Sequence, residues 1–149
     1  MCTSFKQEAL NGSHAFGAQG ANGTRTVTTK DVFKAALYLV TGSQGAATTA
    51  YAATNEVSGT NYVAGGVTVT NATAPTTTGT TAFWTPSASI VYTTVTLSTA
   101  FDCVTLYNSS STATLAVSVH TFGSQTVTAG TLTLTMPAND SSNALERIA

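Results

Sequence analysis

Three consecutive runs of alternating apolar and polar residues between Phe101 and Met136 constrain this chain more than any other feature of it. They are Phe101-Asp-Cys-Val-Thr-Leu-Tyr107, Ala113-Thr-Leu-Ala-Val-Ser-Val-His-Thr-Phe122 and Gly130-Thr-Leu-Thr-Leu-Thr-Met136, set apart by Asn108-Ser-Ser-Ser-Thr112 and Gly123-Ser-Gln125. Period-two alternation bounded by small polar residues predicts half-buried strands joined by tight turns. Leu115, Val117 and Val119 share one face of the second run, and Leu132, Leu134 and Met136 share one face of the third. A sheet with one apolar face must pack against something, so the rest of the chain is expected to supply a second sheet.

Further strand patterns flank this centre. From Val32 to Val40, Phe33, Ala35, Leu37 and Leu39 alternate with Lys34, Ala36 and Tyr38. Ala and Leu favour a helix, but the short run and its β-branched and aromatic residues predict a strand, apolar on both faces and therefore central in its sheet. Tyr62 to Thr70 reads as a strand in which Gly65-Gly66 permits a bulge or a close backbone approach. Thr80 to Trp84, Ile90 to Leu97 and Ala144 to Ala149, with Leu145 inward, complete the set. The long connection over residues 41–61 is expected to carry local structure or a contact role, and Glu56 is its only charge. The expectation is an all-β, jelly-roll-like β-sandwich of about eight strands over residues 32–149, in a chain of 149 residues that suits one domain.

Residues 1–31 read differently. Ser4 and Gln7 fit a capping box for a short helix. Beyond it Gly12, Gly17, Gly20 and Gly23 leave few apolar anchors. This predicts an extended N-terminal arm ordered by whatever it lies against. Phe5, Leu10, Phe16 and Val27 on the arm, together with Trp84, are the expected interface residues.

Charged residues make up only 7% of the chain, against roughly a quarter in an ordinary domain. A surface so poor in charge is consistent with one covered in an assembly, and a homo-oligomer is expected. With a net charge of −1 there is no basic field for a phosphate backbone, so no nucleic-acid partner is expected. No apolar run approaches the length of a bilayer span, so no membrane partner is expected either. Charge near the start, at Lys6 and Glu8, does not fit the apolar region of a signal peptide. Cys2 and Cys103 are too few and too far apart for a disulfide framework or a zinc site, and Cys103 reads as a small buried thiol on the Phe101 face. His14 and His120 have no carboxylate beside them in sequence, Glu146-Arg147 reads as a terminal surface pair, and no Asp-x-Asp metal spacing occurs. No catalytic residue, metal ligand or cofactor is assigned. Trp84 and Tyr92 could line a sugar-stacking platform, although single aromatics in strands more often anchor a core or an interface.

The order of Asp31-Val-Phe-Lys-Ala-Ala-Leu-Tyr38, Ala46-Ala-Thr-Thr-Ala-Tyr51, Thr54-Asn-Glu-Val-Ser-Gly-Thr-Asn-Tyr62, Ala64-Gly-Gly-Val67, Gly79-Thr-Thr-Ala82, Leu106-Tyr-Asn-Ser109 and Phe122-Gly123 resembles a family of small virion structural proteins of tailed bacteriophages. The resemblance covers nearly the whole chain. It implies a structural component of the particle with no enzymatic residues to carry over, located in the virion after assembly in the host cytoplasm. The expected function is a capsid decoration or cement protein whose partner is the major capsid protein or another virion subunit. A tail, collar or fibre-associated adaptor and a carbohydrate-binding host-attachment module are the alternatives.

Overall fold

The computed structural model describes residues 1–17, 29–71 and 73–149. The chain is mostly β, in two antiparallel sheets. Helix α1 (Thr3–Leu10) precedes seven strands among the described residues: β1 (Phe33–Leu39), β2 (Val67–Thr68), β3 (Thr76–Thr78), β4 (Thr81–Trp84), β5 (Ile90–Asn108), β6 (Ala116–Leu134) and β7 (Glu146–Ile148). One sheet runs β2-β1-β5-β6 and the other β3-β4-β7.

β1 shows how alternation becomes packing. Successive side chains of a strand point to opposite faces. Phe33, Ala35 and Leu37 accordingly join the large core cluster, which also holds Phe5 of α1 and Trp84 of the second sheet. Ala36 and Tyr38 join a smaller cluster with Cys103 and Tyr107 on the opposite face, against which Tyr51 of the long connection packs. β1 is paired on both edges, to β2 and to β5, which is the central position its two-faced apolar pattern predicts.

The three alternating runs form two strands rather than three. Ile90 to Leu97 fuses with the run from Phe101 into β5, and the second and third runs fuse into β6. Gly123-Ser-Gln125, expected to be a turn, lies inside β6 at one of several register shifts. A strand absorbs an extra residue as a bulge without reversing direction. Here an extra residue on one strand is answered on the other, so Tyr92↔Leu132 and Cys103↔Thr121 stay in step. Thr94 and Ala129 take positive φ (52° and 46°) at these irregularities. The shift between Phe101 and Cys103 also changes a face. Phe101 packs with Val104 and Leu106 in the large cluster while Cys103 sits in the small one, which corrects the expectation that Phe101 and Cys103 share a side.

Fusion of four expected strands into two, offset by β3 in what reads as a turn, accounts for seven strands instead of about eight. β2 is shorter than expected for a local reason. Gly66 has φ +71°, and a Cβ placed on it would lie 1.7 Å from the Ala35 carbonyl oxygen, so the pairing with β1 stops where the backbone turns left-handed in close contact with it.

The N-terminal 17 residues are not a free arm. Cys2 N–H donates to Val117 O and Thr3 N–H to Ala46 O, both at 2.8 Å. Phe5 is buried, and Phe16 stacks on Phe33 with centroids 4.5 Å apart and leans on Trp84 at 4.7 Å. The helix forms because this docking supplies what its short length cannot. It does so without the expected capping box: the N-cap is Cys2 with no side-chain cap, and the Ser4 hydroxyl is buried without a hydrogen bond.

Candidate functional site

The order of the larger sheet leaves β6 at its end. Its first residues are covered: Val117 O accepts from Cys2 N–H, and Ala116 N–H donates to Thr49 O at 2.9 Å. From Thr121 to Leu134 the strand pairs only with β5, and no other backbone–backbone bond reaches it among the described residues. This stretch contains no charged residue and no proline. Phe122, Val127, Leu132 and Leu134 are half-buried against the core, while Thr126, Thr131 and Thr133 are exposed. Proteins usually protect an edge with charge, proline or short length, because unpaired N–H and C=O groups invite another strand. β6 has none of these beyond its bulges. The outer edges β2, β3 and β7, by contrast, are only two or three residues long.

A second feature lies beneath α1. A pocket of ≈ 200 Å³ is lined by Phe5 of α1, Phe16, Phe83 and Trp84 of β4, and Glu146 and Ile148 of β7. Pairing of β4 with β7 sets Glu146 opposite Trp84. The expected surface pair Glu146-Arg147 is therefore split: Glu146 is 6% exposed, while exposed Arg147 donates from Nη1 to the carbonyls of Ser141 and Ser142. Trp84 is 3% exposed and donates its Nε1–H to Asn71 Oδ1 at 2.9 Å and to Thr73 O at 3.1 Å. It offers no surface face to a stacked sugar. Of the other expected interface residues, Phe5 and Phe16 are used within the body, Leu10 is 91% exposed, and Val27 lies outside the described residues.

Both histidines meet carboxylates that sequence reading did not place beside them. His14 Nε2 lies 2.9 Å from Glu8 Oε2, one turn beyond the helix, and Asn108 Nδ2 lies 3.2 Å from His14 Nδ1 and 2.6 Å from Asp31 Oδ2. Asn108 Oδ1 accepts from Ser110 and Ser111 N–H, so its amide nitrogen faces His14, whose Nδ1 accepts and whose Nε2–H donates to Glu8. The network clasps residues 8–15 to the β5–β6 turn. His120 Nε2 lies 2.9 Å from Ser118 Oγ and 3.4 Å from Glu146 Oε1. A serine-hydrolase relay needs nucleophile and carboxylate on different ring nitrogens. Here both approach Nε2, and Ser118 is fully buried. Among the described residues no group of three or more His, Cys, Asp or Glu is placed to hold a metal ion.

Glu56, the lone charge of the long connection, is a structural hub. Its Oε2 accepts from Tyr51 Oη–H at 2.6 Å, and its Oε1 accepts from Tyr62 Oη–H at 2.8 Å and from Gly65 N–H at 2.7 Å. Tyr38, Tyr92 and Tyr107 donate to the carbonyls of Ala52, Ala35 and Gly65, each at 2.8 Å. Burial, with Glu56 adding to it, pushes all five phenols above their ordinary 10.0, Tyr38 to about 12. Burial also pushes the Cys2 and Cys103 thiols from 9.0 to about 11. These groups favour the folded state while protonated. Below pH 9 both folded and unfolded forms hold their protons and the contribution is full; above it the unfolded chain ionises first and stability falls. The expected result is a flat stability profile to pH 9 and progressive loss from there through pH 12, with 295 nm absorbance showing tyrosinate only as the protein unfolds. Titration of the native protein with a midpoint at 10.0 would contradict this.

No family model matches the chain, and no characterised protein and no solved structure matches it.

Proposed function

We propose that this chain is a non-enzymatic structural protein of a tailed-bacteriophage virion: a capsid decoration, or cement, protein that docks on the major capsid protein through the open edge of β6. The observation that carries the reading is the uncharged edge from Thr121 to Leu134, unpaired among the described residues. A shell offers many equivalent positions, and strand addition joins subunits through main-chain hydrogen bonds without covalent chemistry. An edge without charge loses nothing to unpaired buried ions when it is covered. The half-buried row Phe122, Val127, Leu132 and Leu134 would complete its burial in the same step. The ordered segments that resemble virion structural proteins support this reading, as does the overall scarcity of charge. In it the two sheets belong to a jelly-roll-like sandwich, and attachment rests on β6 rather than on the N-terminal residues.

The test is a Thr131→Lys/Thr133→Lys double variant. Both positions are exposed, so each substitution should change stability by only about 0.5 kcal/mol or less. Lysines on an edge strand oppose strand addition. The variant is expected to melt like the parent chain yet fail to load onto phage heads assembled without the protein. Loading at parental occupancy would refute the edge as the docking surface.

A further inference from the structure

The cavity beneath α1 joins four aromatic rings to a carboxylate left without a hydrogen bond or a Lys or Arg partner among the described residues. Phe5, Phe16, Phe83 and Trp84 line it, and Glu146 lines it with them. Glu146 is 6% exposed, and its Oε1 is buried without a hydrogen bond. The nearest basic group among the described residues, His120 Nε2 at 3.4 Å, is engaged by Ser118 Oγ at 2.9 Å. Arg147 turns away to the carbonyls of Ser141 and Ser142. Among the described residues no Lys or Arg lies within ion-pair distance of any carboxylate. A buried carboxylate without a cationic partner is unfavourable, while the aromatic rings offer apolar area that a carbon chain can cover. Both features select the same kind of guest.

We propose that this pocket binds a primary alkylammonium group, with the ammonium against the Glu146 carboxylate and its carbon tail against the rings of Phe5, Phe16, Phe83 and Trp84. At ≈ 200 Å³ the space exceeds the roughly 150 Å³ that suffices elsewhere for a benzene-sized guest, so a short alkyl or single-ring tail fits. A free amine and a lysine side chain reaching in from a neighbouring polypeptide share this chemistry. The site is separate from the β6 edge and does not depend on the assembly reading.

Trp84 is the only tryptophan and lies in the pocket wall, so its fluorescence reports occupancy. The full chain would be titrated with n-butylammonium, with 1-butanol as the neutral counterpart, and with Nα-acetyl-lysine methylamide. The amine is expected to give a saturable change with a midpoint about tenfold or more below that of 1-butanol, the advantage supplied by the charge against Glu146. Glu146→Gln should erase that advantage. Ala9→Leu, which fills the cavity from α1 without touching the carboxylate, should weaken both ligands and serves if Glu146→Gln does not fold. Stronger binding of the lysine derivative than of n-butylammonium identifies a lysine side chain as the natural guest, and the reverse identifies a free amine. Equal binding of amine and alcohol, no saturation, or an Ala9→Leu chain that binds like the parent would overturn the proposal.

Discussion

A chain lacking residues 1–16 is expected to be largely unfolded at room temperature. The deletion removes Phe5, which is buried in the core, and Phe16, which fills the slot between Phe33 and Trp84. Loss of one buried phenylalanine costs about 3–5 kcal/mol, and the whole stability of a domain is about 5–15 kcal/mol. The same deletion strips the hydrogen bond from Cys2 N–H to Val117 O and leaves Asn108 and Asp31 without His14 and Ala15. Circular dichroism and a urea melt check the outcome. A truncated chain that melts where the parent does would show that the segment is an appendage after all.

Gly66→Ala is expected to be the most damaging methyl added at any of the described glycines. At φ +71° an L side chain is strained, and its Cβ would fall 1.7 Å from the Ala35 carbonyl oxygen and 2.8 Å from the Ala36 Cα. Left-handed strain of about 1–3 kcal/mol adds to overpacking of about 1–3 kcal/mol, for a loss of roughly 2–6 kcal/mol. The displaced backbone is also what Glu56 and Tyr107 bind, through Gly65 N and Gly65 O. Gly79→Ala is the control: its φ is +59°, but nothing lies within 4 Å of the added Cβ, so it reports the backbone strain alone. Similar denaturation midpoints for the two variants would show that the backbone approach of Gly66 to β1 is not as tight as described.

Alternation made the strands legible, and the two faces of β1 follow directly from Phe33, Ala35 and Leu37 against Ala36 and Tyr38. Their boundaries were less legible. A Gly-Ser-Gln segment carries the same composition whether the chain turns or bulges, and only the pairing of Gln125 with Phe101 decides between them. What residues 1–17 lie against was not legible because their apolar residues are too few to order them in isolation, while the slot that Phe16 enters is made by Phe33 and Trp84, which are remote in sequence. The carboxylate neighbours of the histidines were hidden for the same reason: Glu146 reaches His120 only because β7 pairs with β4. Glu56 did stand out as the sole charge of its loop, yet its three donors come from Tyr51, Tyr62 and Gly65, which no local pattern assembles.

The β6 edge is legible in sequence only as an absence of charge; that it is unpaired among the described residues follows from the strand order. The most direct test of its role is a reconstruction of tailed-phage heads, assembled without this protein and then incubated with it. The account predicts the two-sheet body at repeated positions on the shell, with Thr121 to Leu134 facing a capsid subunit at the strand-pairing distance of about 4.8 Å. Heads that acquire no density, or that hold the body with β6 turned to solvent, would contradict it.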